Sequence, residues 1–137
     1  MMNNKGQSTI IFVILIPIFI IFAVLIADTA INIYNDKKLK NITEEVLTDI
    51  LENNVSEEKI ESRARIIYEE NDIDTEYLNI EISSDKKIKI YNSTLYYSVI
   101  NSIFKNGTRQ SVVRAVGYLD SNNNVIVEFI KDDLDED

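Results

Sequence analysis

Ile10-Ile11-Phe12-Val13-Ile14-Leu15-Ile16-Pro17-Ile18-Phe19-Ile20-Ile21-Phe22-Ala23-Val24-Leu25-Ile26-Ala27, closed by Asp28, is the stretch that decides how the rest of the chain is arranged. Its eighteen residues before Asp28 carry no charged or polar side chain, and fifteen of them are Leu, Ile, Val or Phe. As a helix rising about 1.5 Å per residue they reach about 27 Å, close to the hydrocarbon thickness of a bilayer. Each large apolar residue favours insertion by about 0.3–0.6 kcal/mol near the helix centre, so the segment as a whole inserts. Pro17 removes one backbone hydrogen bond, which a neighbouring helix or a local kink accommodates inside a membrane. The pattern predicts a short leader over 1–9, a transmembrane helix over 10–28 with Ile10, Phe12, Pro17, Phe22, Ala27 and Asp28 among its anchoring residues, and a water-exposed domain over 29–137.

Two other arrangements compete with a permanent anchor. A cleavable secretory peptide has a shorter apolar stretch, with small residues such as Ala27 to Ala30 at the cut. Against it, the helical pattern continues past Asp28 through Ile31, Tyr34, Leu39, Ile42, Val46, Leu47, Ile50 and Leu51, mostly at spacings of three or four. Burial as a soluble core helix requires a domain large enough to surround eighteen apolar residues on every side, and 137 residues do not supply one.

The exposed part is acidic. Residues 28–137 hold 13 basic against 23 acidic side chains, a net of −10, and no basic stripe with interleaved aromatics. Such a surface repels phosphate backbones, so nucleic acid is not an expected partner. The absence of Cys and His excludes disulfides, thiolate chemistry, the usual zinc sites and histidine general-base catalysis, while leaving the compartment open. Only three glycines are present, with no nucleophile elbow or phosphate loop, and no carboxylate stands in an apolar setting that would raise its pKa. The expectation is no enzyme and no cofactor or metal.

Beyond the stem, Asn53-Asn54 ends the long helix, and Ser56 before Glu57 and Glu58 caps a second helix running to about Asn71. Alternation predicts strands at Leu78–Ile82 and Ile88–Ile90 about a turn at Ser83–Lys87, and a second hairpin of Val112–Leu119 and Val125–Ile130 about Asp120–Asn124. The apolar pairs Leu95/Tyr96, Val99/Ile100 and Ile103/Phe104 recur every four residues, which predicts a short helix over 95–104. The expected fold class is α+β: a long N-terminal transmembrane and stem helix packed on a small four-stranded antiparallel sheet, with short helices on one face.

Duller features complete the pattern. Asp28 reads first as a marker of the membrane interface. Tyr91, Tyr96 and Tyr97 read as a half-buried sheet edge. Asp132, Asp133, Asp135, Glu136 and Asp137 read as a solvated acidic tail over about 131–137 rather than a calcium site. Glycosylation triplets begin at Asn41, Asn54, Asn92 and Asn106, as chance produces in a chain rich in Asn.

The start of the chain, Lys5-Gly6-Gln7-Ser8-Thr9-Ile10-Ile11-Phe12, with Pro17 inside the apolar run and Asp28 at its end, resembles TadE/TadG-like proteins, the minor pilin-like components of tight-adherence pilus systems. It is also similar to the class III signal peptides of the type IV pilin-like superfamily. The likeness covers about the first forty-five residues. It implies a prepilin peptidase cutting after Gly6, with Lys5, Gly6 and Gln7 as the processing residues, and it implies an N-terminus in the cytoplasm with the acidic domain outside. Lys5 on one flank against Lys37, Lys38 and Lys40 beyond the other leaves that orientation undecided by charge. Pilin relatives usually carry Glu five residues after the cut, where this chain has Ile11, which points away from a major polymerising subunit. The implied partners are the membrane, other pilus or pilin-like subunits and their assembly platform, and the peptidase. A single-pass tethered accessory or sensor domain unrelated to pili is the alternative.

Overall fold

A computed structural model describes residues 4–104 and 107–131. Residues 132–137 of the acidic tail and Asn106 of the last triplet lie outside the described residues. Helix α1 runs unbroken over Asn4–Glu52 with Pro17 inside it, and its 49 residues make a rod of about 74 Å. One membrane-length apolar window lies in this helix, and none of it is buried in the protein. Past Asp28 the burial becomes one-sided, with Asn32, Leu39, Thr43, Val46, Leu47, Ile50 and Leu51 turned inward. A stripe repeating every three or four residues is what one helix face presents to a core.

The end of α1 follows from Asn54, which turns into the left-handed region at φ 48°. Its neighbour Val55 then donates its N–H back to the Ile50 carbonyl, closing a Schellman cap of the kind Asn tolerates. Helix α2 (Glu57–Glu70) starts at Ser56 as expected, although the Ser56 side chain makes no capping bond. It ends the same way as α1, with Asp72 at φ 59° and the Ile73 N–H on the Tyr68 carbonyl.

Strands β1 (Asn79–Ile82), β2 (Ile88–Tyr97), β3 (Thr108–Leu119) and β4 (Val125–Phe129) form one antiparallel meander in the order β1-β2-β3-β4. The two expected turns are present. Lys86 and Asn123 adopt positive φ in them, and the Asp120 carboxyl accepts the N–H groups of Asn122 and Asn124. One expectation fails: Leu95 to Tyr97 belong to β2, and helix α3 is only Val99–Phe104. Ladder pairing of Leu95 with Gln110 and Tyr96 with Arg109 outweighs the helix-like spacing of the apolar pairs. Strand β3 accordingly starts at Thr108 rather than Val112. Of the three tyrosines, Tyr91 is flanked by strands on both sides, whereas β1 ends opposite it, so Tyr96 and Tyr97 pair with β3 alone and lie on an open edge of the sheet, Tyr96 half-buried and Tyr97 exposed.

Helices α1 and α2 cover one face of the sheet. The core joins Val46, Leu47 and Ile50 of α1 to Ile60, Ala64 and Tyr68 of α2 and to Ile88, Ile90, Val113 and Ala115 of the central strands. Gly117 admits this close approach, because a Cβ there would lie 2.9 Å from Leu47 Cδ2. On the other face Arg114 stacks over the Tyr91 ring at 5.4 Å. The fold is the expected α+β arrangement of a long helix on a four-stranded sheet.

Candidate functional site

The β2–β3 hairpin runs down toward the apolar segment beside α1, and the hairpin and the helix meet through polar side chains where α1 leaves that segment. Asp28, Asn32 and Asp36 recur every four residues on one helix face. Four helical residues climb about 6 Å and two strand residues about 6.6 Å, so successive turns of α1 stay level with Ser98 just past β2, with Tyr96 in β2, and with Ser111 of β3, which pairs with Thr94. Three rungs result.

At the lowest rung the Asp28 carboxyl, only 3% exposed, accepts the Ser98 hydroxyl at 3.1 and 3.2 Å and the Val99 backbone N–H at 3.0 Å. Val99 opens α3, so Asp28 satisfies a donor that the first turn of a helix leaves unpaired. At the middle rung the Tyr96 phenol donates to Asn32 Oδ1 at 2.9 Å. Burial pushes that phenol above its ordinary range, with Arg109 opposing and Asp36 and Asp28 adding to the rise. At the top rung the Ser111 hydroxyl of β3 donates to Asp36 Oδ1.

Above the rungs the junction turns apolar at Leu39. One more polar contact lies inside the core, between Thr43 and Tyr68. The Thr43 hydroxyl donates to the Leu39 carbonyl at 2.7 Å, which uses its single hydrogen, so the Tyr68 phenol donates to Thr43 across 2.6 Å. Burial pushes the Tyr68 phenol up to about 12. Near the far end of α1, Arg63 forks onto Asp49 at 2.7 and 3.1 Å, and this hydrogen bond holds the Asp49 carboxyl below its usual range.

The loop between β2 and β3 is braced from within. Ser98 donates its N–H to the Gly107 carbonyl, Gly107 returns its own to Asn101, and the Asn101 amide donates to the Thr108 carbonyl at 2.8 Å. Gly107 sits at φ 82°, a conformation that favours glycine. The arrangement has no reactive constellation. Among the described residues no group of three or more Asp or Glu is placed to hold a metal ion. What it does is fix the position of the domain on the helix from the first residue past the apolar run.

The other residues singled out in the sequence are placed as follows. Lys5, Gly6 and Gln7 lie exposed in the first turns of α1, and nothing approaches the position of a Cβ on Gly6. Ile10, Phe12 and Phe22 are exposed along the same helix. Asn41 and Asn54 are exposed, whereas Asn92 is wholly buried and donates to the Asp74 carbonyl at 3.1 Å, so the folded domain does not present that triplet. The sequence marked Asp28 as a boundary but did not reveal its partners, which lie some seventy positions away. The regular spacing of Asp28, Asn32 and Asp36 on a predicted helix was the available signal.

No protein-family model, curated protein or solved structure matches the chain.

Proposed function

We propose that this protein is a membrane-anchored, minor pilin-like component that works through protein contacts in the assembly or surface display of a type IV or tight-adherence pilus. The observation that carries the proposal is the division of α1: one half is apolar and uncovered by the protein, while the other is built into a four-stranded antiparallel domain. A rod of this kind offers its lower half to lipid or to the apolar helices of neighbouring subunits and projects its upper half as part of a folded head. The likeness of Lys5-Gly6-Gln7 and the following run to class III signal peptides supports it, as does the exposure of Gly6. On this proposal the N-terminus is cytoplasmic and the acidic domain extracytoplasmic, and the chain is not an enzyme. Ile11 in place of the usual Glu assigns it to an assembly, priming or tip role.

Intact-mass measurement of protein extracted from cells that express a prepilin peptidase tests the proposal. Loss of residues 1–6 is the expected result, together with photo-crosslinks from Phe12 or Phe19 to other subunits with apolar N-terminal helices. An uncut chain that crosslinks only to lipid overturns it and leaves the tethered accessory domain as the alternative.

A further inference from the structure

We infer that α3 is a second membrane contact, a short apolar foot that seats the domain in the lipid headgroup layer beside the transmembrane part of α1. The inference rests on α1 spanning a bilayer and is independent of the pilus assignment.

The geometry starts from Asp28. It directly follows Ala27, the last residue of the apolar run, so it lies at the level where the helix leaves hydrocarbon. The bond from Val99 N–H to Asp28 at 3.0 Å sets the first residue of α3 at that same level. Because β2 descends along α1 from the core to Ser98 and β3 climbs back from Thr108 past Asp36, the α3 segment is the end of the sheet nearest the membrane. Ile103 and Phe104 stand four and five residues beyond Val99, so they lie within about 8 Å of it along a helix. The headgroup region on each side of a bilayer is about 5–8 Å thick, so both side chains fall within reach of it.

Their exposure gives the second strand of support. Ile103 is 68% and Phe104 77% exposed, and neither belongs to the core. The base of the loop is held by hydrogen bonds among Ser98, Asn101, Gly107 and Thr108, which fix α3 with these two side chains outward. Tyr97, also exposed, directs its hydroxyl to Ser102 at 3.4 Å. Aromatic rings with a polar tip are characteristic of membrane–water interfaces. An apolar pair held outward beside Tyr97, at the level of a membrane exit, matches a lipid surface.

The chain has no Trp, so single-Trp variants of the full-length protein report on each position in phosphatidylcholine vesicles. Phe104→Trp probes the foot and Phe19→Trp the middle of the membrane run. Ile66→Trp on α2 is the aqueous control, since α2 packs on α1 near Thr43, about 22 Å above Asp28. The expected result for Phe104→Trp is a blue-shifted emission, strong quenching by lipids brominated near the glycerol end of the chain, and several-fold weaker quenching by aqueous acrylamide than Ile66→Trp shows. Phe104→Trp quenched by acrylamide as fully as Ile66→Trp, while Phe19→Trp is quenched by bromolipid, overturns the foot and leaves the anchor standing. Bromolipid quenching at neither Phe19→Trp nor Phe104→Trp overturns both. Shielding of Phe104→Trp that ignores bromolipid and disappears on dilution of protein into excess lipid identifies a second copy of the chain as the occupant and also overturns the inference.

Discussion

Replacing Asp28 by Ala removes the acceptor for two donors at once, the Ser98 hydroxyl and the Val99 N–H. Neither has an evident substitute: the site is almost sealed, with Asp28 3% and Ser98 1% exposed. A buried polar group left without a partner costs about 1–3 kcal/mol. Taking about 2 kcal/mol for the opening of this junction, and about 1.4 kcal/mol for each factor of ten, the Val99 amide should exchange about thirtyfold faster with solvent deuterium. The apolar run stays intact in Asp28→Ala, so its length and apolarity are unchanged and the comparison can be made in nanodiscs on equal terms. Strand amides around Ile90, in the core above Leu39, should keep their wild-type protection. Asp28→Asn retains one carboxamide oxygen for Val99 and should recover most of the effect. If Val99 exchanges at the wild-type rate in Asp28→Ala, the carboxyl does not clamp the domain and the rung description is wrong.

Other outcomes follow from the core. Gly117→Ala places a Cβ 2.9 Å from Leu47 Cδ2 and 3.2 Å from its Cβ, so thermal melting should register a loss of about 1–3 kcal/mol; an unchanged midpoint refutes the close approach of α1 and β3. Tyr68 is neutral in the folded state up to about 12, whereas an unfolded phenol ionises at about 10. The unfolded chain therefore sheds its proton first, and stability should fall as pH rises through this window by about 1.4 kcal/mol per unit. Tyr68→Phe should flatten that part of a denaturation-against-pH curve. It should also lower stability by about 1 kcal/mol at neutral pH through loss of the bond to Thr43. A slope identical to wild type would place Tyr68 in contact with water.

Much of this architecture is local in origin and so legible in the residues. The apolar run, the stop at Asn53-Asn54 and the two hairpin turns all rest on neighbours within a few positions: Asn54, Lys86 and Asn123 take positive φ, and Asp120 binds its own turn. Leu95 and Tyr96 mislead because their spacing mimics a helix while the partners that make them a strand, Gln110 and Arg109, lie more than ten residues on. The polar rungs escape a reading of the residues for the same reason on a larger scale. Asp28, Asn32 and Asp36 look like ordinary exit and surface residues until the sheet returns some 64 to 75 positions later. Long-range pairing, not local propensity, decides which polar residues of a helix become buried.

Because α1 passes unbroken from its uncovered apolar half into the core, anchoring of that half in a bilayer would make the whole molecule a lever. Asp28 and Glu52 are ends of one stretch of helix about 36 Å long. A tilt of about 20° in the bilayer, ordinary for a single span, sweeps its far end sideways by about 12 Å. Where a flexible tether would absorb such a swing, a continuous helix held in a bilayer would deliver it to α2 and the distal hairpin turns, so that bilayer thickness would set where they point.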